Sequence, residues 1–384
     1  MTPMSPEPAV RAEIVVDLAA VRHNVRALAA HTGTAVMVVV KADGYGHGML
    51  PVARAAREAG AAWLGAATLA EALALREAGD TGRILTWLWV PGEAGLAEAV
   101  AAGIDVTAHG ADHLAAVADA VRRCGTPARL QLKVDTGLHR NGCLPSDWPG
   151  LVAAARRGEV DGLWAVTGVW SHLACADEPG HPATAAQQAA FELALAQAAD
   201  AGLRPEVRHL ANSAGAILHP GTHHDLVRVG LAAYGLHPAP GHGPALDLRP
   251  AMTARASLAM VKRVEPGAGV SYGHTWTAGR PTTLGLVPVG YGDGVPRHAG
   301  NRAEVSVAGV RAPVRGRVCM DQVVAEVPDH AQAGDEVVLF GAAPHPTAQD
   351  WAEACETISY EIVTRVGGRF ARRWVGEQHE QEDT

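Results

Sequence analysis

From residue 34 to about residue 230, short runs of apolar, β-favouring residues alternate with longer Ala/Leu-rich stretches of helical spacing. Residues 35–41, 63–66, 83–88, 105–108, 129–134, 163–172, 207–212 and 226–229 read as strands, and 48–59, 68–78, 111–123 and 183–201 read as helices between them. This regular alternation predicts a parallel sheet with covering helices. Eight strands is the number that a (β/α)8 barrel of the TIM type requires. A doubly wound open sheet is the alternative, but no G-x-G-x-x-G follows the first strand.

The pattern changes after Tyr234. A stretch rich in Pro, Gly and His, 237–250, reads as a linker, and beyond it helical periodicity gives way to short strands with turn signals at 252–264, 283–288, 304–307, 312–317, 322–327 and 336–340. A final helix is expected at 348–359. The expected organisation is therefore a barrel over 12–240 followed by a mostly β domain over 250–384, with a strand-like segment at 12–17 able to pair with either.

Composition narrows the function classes. Hydrophobic residues make up 48% and charged residues 19%, the balance of a globular enzyme. The formal charge is −8 and no Lys/Arg stripe forms, so nucleic acid is not an expected partner. Apolar runs such as 35–40 are strand-sized, far short of the ~20 residues that cross a bilayer, so no membrane span is expected. Residues 1–11 carry Pro and Glu where a secretory signal needs a basic start and an apolar block, and read as a short disordered tail. Cys124, Cys143, Cys175, Cys319 and Cys355 are scattered and form no C-x-x-C pair. They suggest neither a disulfide framework nor a metal site, and a reducing cytoplasm is the expected location.

Only three lysines occur, Lys41, Lys133 and Lys262, against 32 basic residues in all. Arginine serves wherever a generic positive charge is needed, so the few lysines mark positions where an amine is required. An amine, unlike a guanidinium, loses its proton readily and forms imines. Lys41 ends the first apolar run and opens Ala42-Asp43-Gly44-Tyr45-Gly46-His47-Gly48, at the strand end where barrel enzymes keep their reactive groups.

The segment Val40-Lys41-Ala42-Asp43-Gly44-Tyr45-Gly46-His47-Gly48 resembles the pyridoxal phosphate attachment motif of the alanine racemase family, and the resemblance continues in order to about Arg373. It implies a pyridoxal 5′-phosphate enzyme that interconverts L- and D-alanine, supplying D-alanine for peptidoglycan. It also implies a homodimer in which each active site borrows residues from the other subunit's β domain. By resemblance Lys41 carries the cofactor as an imine, and Lys41 and Tyr272 are the two catalytic bases, with Tyr272 coming from the second subunit.

The same resemblance assigns the remaining site. Arg140, beyond a glycine turn in 132–142, is placed at the cofactor's phenolic oxygen and the substrate carboxylate. His172 lies along the pyridine ring. Asn212 is placed at the cofactor, Ser213, Gly230, Leu231, Tyr45 and Tyr360 surround the phosphate, and Arg228 faces the pyridine nitrogen. Met320 through its backbone N–H, Asp321 and the entrance residue Tyr291 are placed at the substrate. Lys133 resembles a lysine that is carbamylated to position Arg140, and a plain contact with Asp135 or another carboxylate is the alternative.

Arg228 sharpens the reaction class. A carboxylate at the pyridine nitrogen protonates it and makes the ring a strong electron sink; an arginine cannot accept that proton. This separates a racemase from barrel decarboxylases with the same kind of lysine. A broad-specificity, serine or lysine racemase, or a non-catalytic cofactor-binding protein, are the other readings. The 237–250 linker and Gly367-Gly368-Arg369-Phe370 depart from the family pattern.

Overall fold

The structure is a computed structural model that describes residues 10–377, so most of the 1–11 tail and the last residues of the expected second domain lie outside the described residues. Among the described residues two compact units emerge: one comprises 21–44 and 48–248, the other comprises 10–20, 45–47 and 249–377.

In the first unit eight parallel strands follow one another: β2 (Ala35–Val39), β3 (Trp63–Ala66), β4 (Arg83–Thr86), β5 (Asp105–Ala108), β6 (Ala128–Lys133), β7 (Trp164–Trp170), β8 (Val207–His209) and β9 (Leu226–Val229); β1 (Ala12–Asp17) belongs elsewhere. The sheet order is β8-β7-β6-β5-β4-β3-β2-β9, so the first strand of the series neighbours the last. The remaining seam is bridged where Asp225 N–H donates to Arg208 O (3.1 Å) and Arg228 N–H to Ala211 O (3.0 Å). The result is a nearly closed (β/α)8 barrel, as the alternation predicts.

Helices cover the barrel. Leu69–Glu77 starts at a capping box, with Glu71 N–H on Thr68 Oγ1 (3.2 Å) and Thr68 N–H on Glu71 Oε2 (3.1 Å). Ala111–Cys124 ends at Gly125 in the left-handed region (φ 73°). Four further helices, Leu18–Thr32, Leu96–Ala101, Trp148–Val160 and Ser213–Leu218, are not announced by the sequence pattern. Two of these are only six residues long, and Trp148–Val160 carries Pro149, Gly150 and Gly158, which blur its periodicity.

The barrel interior is divided. Met37, Trp63, Leu85 and Leu226 form an apolar cluster. On β5 to β8, Asp105, Gln131, Thr167 and His209 are fully buried polar side chains. Buried polar atoms require partners, and these four supply one another.

The second unit is mostly β. Its strands are β10 (Met252–Ser257), β11 (Met260–Val264), β12 (Gly269–Val270), β13 (Trp276–Thr277), β14 (Thr282–Val287), β15 (Glu304–Val307), β16 (Val310–Pro313), β17 (Val323–Glu326), β18 (Glu336–Phe340) and β19 (Ala371–Val375). They form sheets ordered β16-β15-β18-β10-β1-β19, β11-β14-β17 and β12-β13.

The barrel boundary expected at residue 12 moves. β1 pairs antiparallel with β10 and parallel with β19, so 12–17 belongs to the β unit. Ile14 and Val16 are buried in that unit's core, and Glu13 bonds Arg255 Nε (2.6 Å) and Arg373 Nε (3.4 Å) from the flanking strands. The expected strand 252–264 is two strands, the expected helix 348–359 resolves into Ala348–Ala354 and Ser359–Arg365, and β19 was not foreseen. β19 reads Ala-Arg-Arg-Trp-Val, too charged to stand out as apolar, because it lies at the sheet edge. Among the described residues no helix is long and apolar enough to cross a membrane.

Candidate active site

Strand β2 stops at Val39, two residues before the expected end, because the chain turns left-handed. Lys41 opens a turn in which Ala42, Asp43 and Gly44 take φ of 52°, 52° and 61°. For non-glycine residues this conformation costs about 1–2 kcal/mol each, so other groups must hold it. Gly44 N–H donates to Val40 O (2.8 Å), Gly48 N–H to Asp43 O (2.8 Å), and Asp43 Oδ1 accepts from Met49 N–H (2.9 Å). Glu71 Oε1 accepts from Ala42 N–H (2.8 Å), and the Tyr234 hydroxyl donates to Val39 O (2.9 Å). Lys41 is thereby fixed half-buried, its Nζ 6.0 Å from the Trp87 ring centroid. Burial lowers its pKa, Arg140 lowers it further, and Glu71 opposes. Glu71 and Tyr234 were missed in the sequence, although the Thr68-x-x-Glu71 box was visible.

Arg228, on β9, is buried, and both of its terminal nitrogens are bonded by neutral acceptors. Nη1 donates to His209 Nδ1 and His209 O (both 3.1 Å); Nη2 donates to Ser171 O (2.7 Å), Leu210 O (3.1 Å) and His172 Nδ1 (3.1 Å). No carboxylate bonds it among the described residues, and Nε carries none of these bonds. Burial, with Arg140, lowers its pKa to about 9, so it stays charged at neutral pH. His172 and His209 have pKa values well below the ordinary imidazole value, by burial first and then Arg228. Both rings are neutral, and each presents a bare Nδ1 to a guanidinium that only donates.

Lys133, at the end of β6, is buried, with its Nζ 4.3 Å from the Trp170 ring centroid and hydrogen-bonded to Asn141 Oδ1. The plain Lys133–Asp135 contact is not formed: Asp135 Oδ1 accepts Gly137 N–H (3.0 Å) and His139 N–H (3.1 Å) and so shapes the loop that carries Arg140. Burial, with Arg228 and Arg140 adding, brings the Lys133 pKa down to about 7. Arg140 is exposed. It acts on Lys41, Lys133, His172 and Arg228 as a charge, which marks a common neighbourhood.

After β8 and β9 lies a buried turn gathered around Ser213. Ser213 Oγ accepts Gly230 N–H (2.9 Å) and Ala232 N–H (3.4 Å), so its own proton is free to be donated, and Leu231 follows in the same buried turn. Asn212 caps the helix Ser213–Leu218 through Gly215 N–H (2.9 Å).

The β unit holds the other predicted residues. Tyr45, buried, lies with its ring centroid 6.2 Å from that of Tyr360. Burial and Tyr360 raise the Tyr45 pKa, so the phenol is a donor at neutral pH. Tyr272, Tyr291 and Met320 are exposed at 69%, 42% and 54% of their surface, unusual for such side chains. Their loops are tied together: Tyr291 N–H donates to Cys319 O (3.0 Å), Gly292 N–H to Met320 O (2.9 Å), and Ser271 Oγ to Arg317 O (2.7 Å). Asp321 is held by Arg369 Nη1 at 2.7 Å, and Arg369 Nε and Nη2 grip the buried Asp293 at 2.7 and 2.9 Å. Arg369, in the segment that departed from the family pattern, braces the Met320 loop.

An amine of lowered pKa at a strand end and a carboxylate-free arginine across the same barrel define a barrel enzyme built around a lysine. Family models described as alanine racemase, N-terminal domain, and alanine racemase, C-terminal domain, match residues 16–238 and 251–374. An alanine racemase of Streptomyces coelicolor is 54% identical over 378 residues, 96% of each chain, and one of Thermobifida fusca is 55% identical over 372 residues, 95% of this chain and 98% of the relative. The crystal structure of alanine racemase from a D-cycloserine-producing Streptomyces lavendulae superposes with a TM-score of 0.94 at 54% identity, over 97% of this chain and 99% of that one. The chain belongs to the alanine racemase family, a family of isomerases.

Proposed function

We propose that this enzyme binds pyridoxal 5′-phosphate on the C-terminal face of its barrel and interconverts L- and D-alanine by two-base chemistry. The donor set fits the group. Lys41 offers an amine of lowered pKa, Ser213 offers a hydroxyl proton for the phosphate with the Leu231 backbone N–H following it, the resemblance adds Tyr45 and Tyr360 there, and Arg140 offers a cation for the phenolic oxygen. When bound, the cofactor acidifies the substrate's α-proton by withdrawing electrons from the α-carbon.

The observation that carries the reading is Arg228. Its two terminal nitrogens are occupied by five neutral acceptors, and Nε is left for the pyridine nitrogen. A guanidinium donates there without giving up its proton, which keeps electron withdrawal weak and favours prompt reprotonation at the α-carbon over side reactions. His172, held by Arg228, is oriented along the ring.

Racemisation needs one base on each face of the α-carbon. Lys41 serves one face and Tyr272 of the partner subunit the other. The exposure of Tyr272, Tyr291 and Met320 on linked loops supports a homodimer in which these residues complete the second subunit's site. Met320 N–H and Arg140 receive the substrate carboxylate and Tyr291 lines the entrance, with Asp321 acting through Arg369. D-Alanine supplied to peptidoglycan in a reducing cytoplasm is the matching role, and the five cysteines are all free.

The test is α-proton exchange in deuterated water with each enantiomer of alanine, serine and lysine. Alanine is expected to exchange fastest from both enantiomers. Preference for serine or lysine would overturn the substrate, and no exchange with any would overturn the activity.

A further inference from the structure

Behind Arg228 a chain of hydrogen bonds runs down the barrel interior, and every link points the same way. Arg228 Nη1 donates to His209 Nδ1 (3.1 Å), His209 Nε2 meets Gln131 Oε1 (2.8 Å), and Gln131 Nε2 donates to Asp105 Oδ1 (3.3 Å). Asp105 also accepts from Thr167 Oγ1 and from Arg129 Nε (2.9 Å), and it opens β5 at the opposite end of the barrel from Lys41. His209 stacks on Trp170, with ring centroids 5.6 Å apart and planes 5° from parallel.

Donor and acceptor counting fixes each side chain. The Asp105 carboxylate, ion-paired to Arg129, only accepts, so the Gln131 amide must turn its NH2 downward and its oxygen toward His209. That oxygen only accepts, so His209 carries its proton on Nε2. Its Nδ1 is then a lone pair, the one partner Arg228 can use. Gly168 makes room for this amide: a Cβ there would lie 2.6 Å from Gln131 Cδ.

We propose that Asp105, Gln131 and His209 are positioning residues for the reaction, a one-way relay that sets the His209 tautomer and through it the orientation of Arg228. Asp105, whose charge is met by Arg129, lies two neutral side chains away from Arg228, so the guanidinium keeps its full donor strength toward the pyridine nitrogen. The inference rests on the role given to Arg228 above.

Asp105→Asn reverses the relay. The Asn oxygen stays on Arg129, its NH2 faces Gln131, the Gln131 amide flips, and His209 is driven toward the Nδ1–H tautomer, which opposes Arg228. The holoenzyme is labelled with 15N-histidine, and the His209 signal is assigned by its loss in His209→Asn. Wild type is expected to show His209 as Nε2–H and untitrating between about pH 6 and 9. In Asp105→Asn the tautomer is expected to shift, whereas in Gln131→Leu Arg228 still donates to Nδ1, so the Nε2–H form persists without its acceptor and the His209 nitrogen shifts change through the lost hydrogen bond. Pyruvate release by abortive transfer of alanine's amino group to the cofactor is expected to rise about tenfold per racemisation turnover, with KM changed less than about twofold. Gln131→Glu, whose carboxyl accepts at His209 and, protonated, donates to Asp105, is expected to keep the wild-type tautomer and partition.

Unchanged His209 nitrogen shifts and unchanged pyruvate partition in Asp105→Asn and Gln131→Leu would overturn the proposal. Should Asp105→Asn not fold, the Gln131→Leu and Gln131→Glu pair decides: the same result in both overturns it. Failure of the underlying cofactor reading shows separately, as a colourless wild-type protein, whereas the tautomer reads the relay directly.

Discussion

Arg228 Nη2 donates to His172 Nδ1 at 3.1 Å, which ties the cation proposed for the pyridine nitrogen to the ring proposed to lie along it. Because the imidazole is neutral and the guanidinium charged, the pair is held without cancelling the charge. In Arg228→Glu the acceptors of Ser171, His209, Leu210 and His172 lose their donor inside the barrel. Each unsatisfied buried group costs about 1–3 kcal/mol. A clear fall in melting temperature, a fall in kcat of roughly 10²–10⁴-fold and a rise in pyruvate formation are expected, read by calorimetry and by a coupled pyruvate assay.

Lys41→Ala is expected to remove the near-visible absorbance of the cofactor-loaded enzyme together with racemisation, whereas Tyr272→Phe keeps the absorbance and slows turnover by roughly 10²–10⁴-fold. Shared sites make a sharper test. A subunit carrying Lys41→Ala and one carrying Tyr272→Phe together form one intact site per heterodimer. An equimolar random mixture should therefore recover about a quarter of wild-type activity. A mixture as inactive as its parents would place both bases in one subunit.

Lys133 gives a pH dependence with a definite sign. Its native pKa of about 7 lies below the ordinary lysine value of 10.5, chiefly through burial. Between those values the unfolded chain holds a proton that the native amine lacks, so stability rises with pH through this window and is independent of this group below about 7. In bicarbonate-free buffer, urea unfolding between about pH 7 and 9.5 should show that rise in wild type and a flatter profile in Lys133→Met. The same unprotonated amine is a nucleophile toward carbon dioxide. With 13C-bicarbonate a carbamate carbon resonance is expected in wild type and absent in Lys133→Met.

Arg369→Ala leaves the buried Asp293 carboxylate with the Gly290 N–H (3.1 Å) and the longer Arg11 contact (3.4 Å), and frees Asp321. Loss of about 1–3 kcal/mol of stability is expected. An increase in KM for alanine larger than the change in kcat is also expected, because the Met320 loop is loosened while both bases remain. Asp321→Asn, which keeps the Asp293 grip, should show the KM effect with little change in melting temperature. A larger melting shift for Asp321→Asn than for Arg369→Ala would contradict this division of roles.

Much of this was legible because some information is local. The alternation of periods announced the barrel strands, the scarcity of lysine singled out Lys41, and the glycine-rich turn after it marked a crowded site. Glu71 was legible in principle, since a capping box is a four-residue signal. Arg369 was not: its meaning depends on Asp293 and Asp321, which lie 76 and 48 positions away in the chain.

By itself the sequence determined the eight-strand barrel, the β character of the second unit and the amine at the strand end, because hydrophobic period and residue chemistry are carried by neighbours in the chain. Only the tertiary structure decided that β1 belongs with β10 and β19, that Lys41 sits on a left-handed turn held by Glu71 and Tyr234, and that Arg228 rests on neutral acceptors backed by Gln131 and Asp105. Strand pairing, desolvation and donor–acceptor matching are properties of groups that meet across the fold, and no local window of sequence contains both partners.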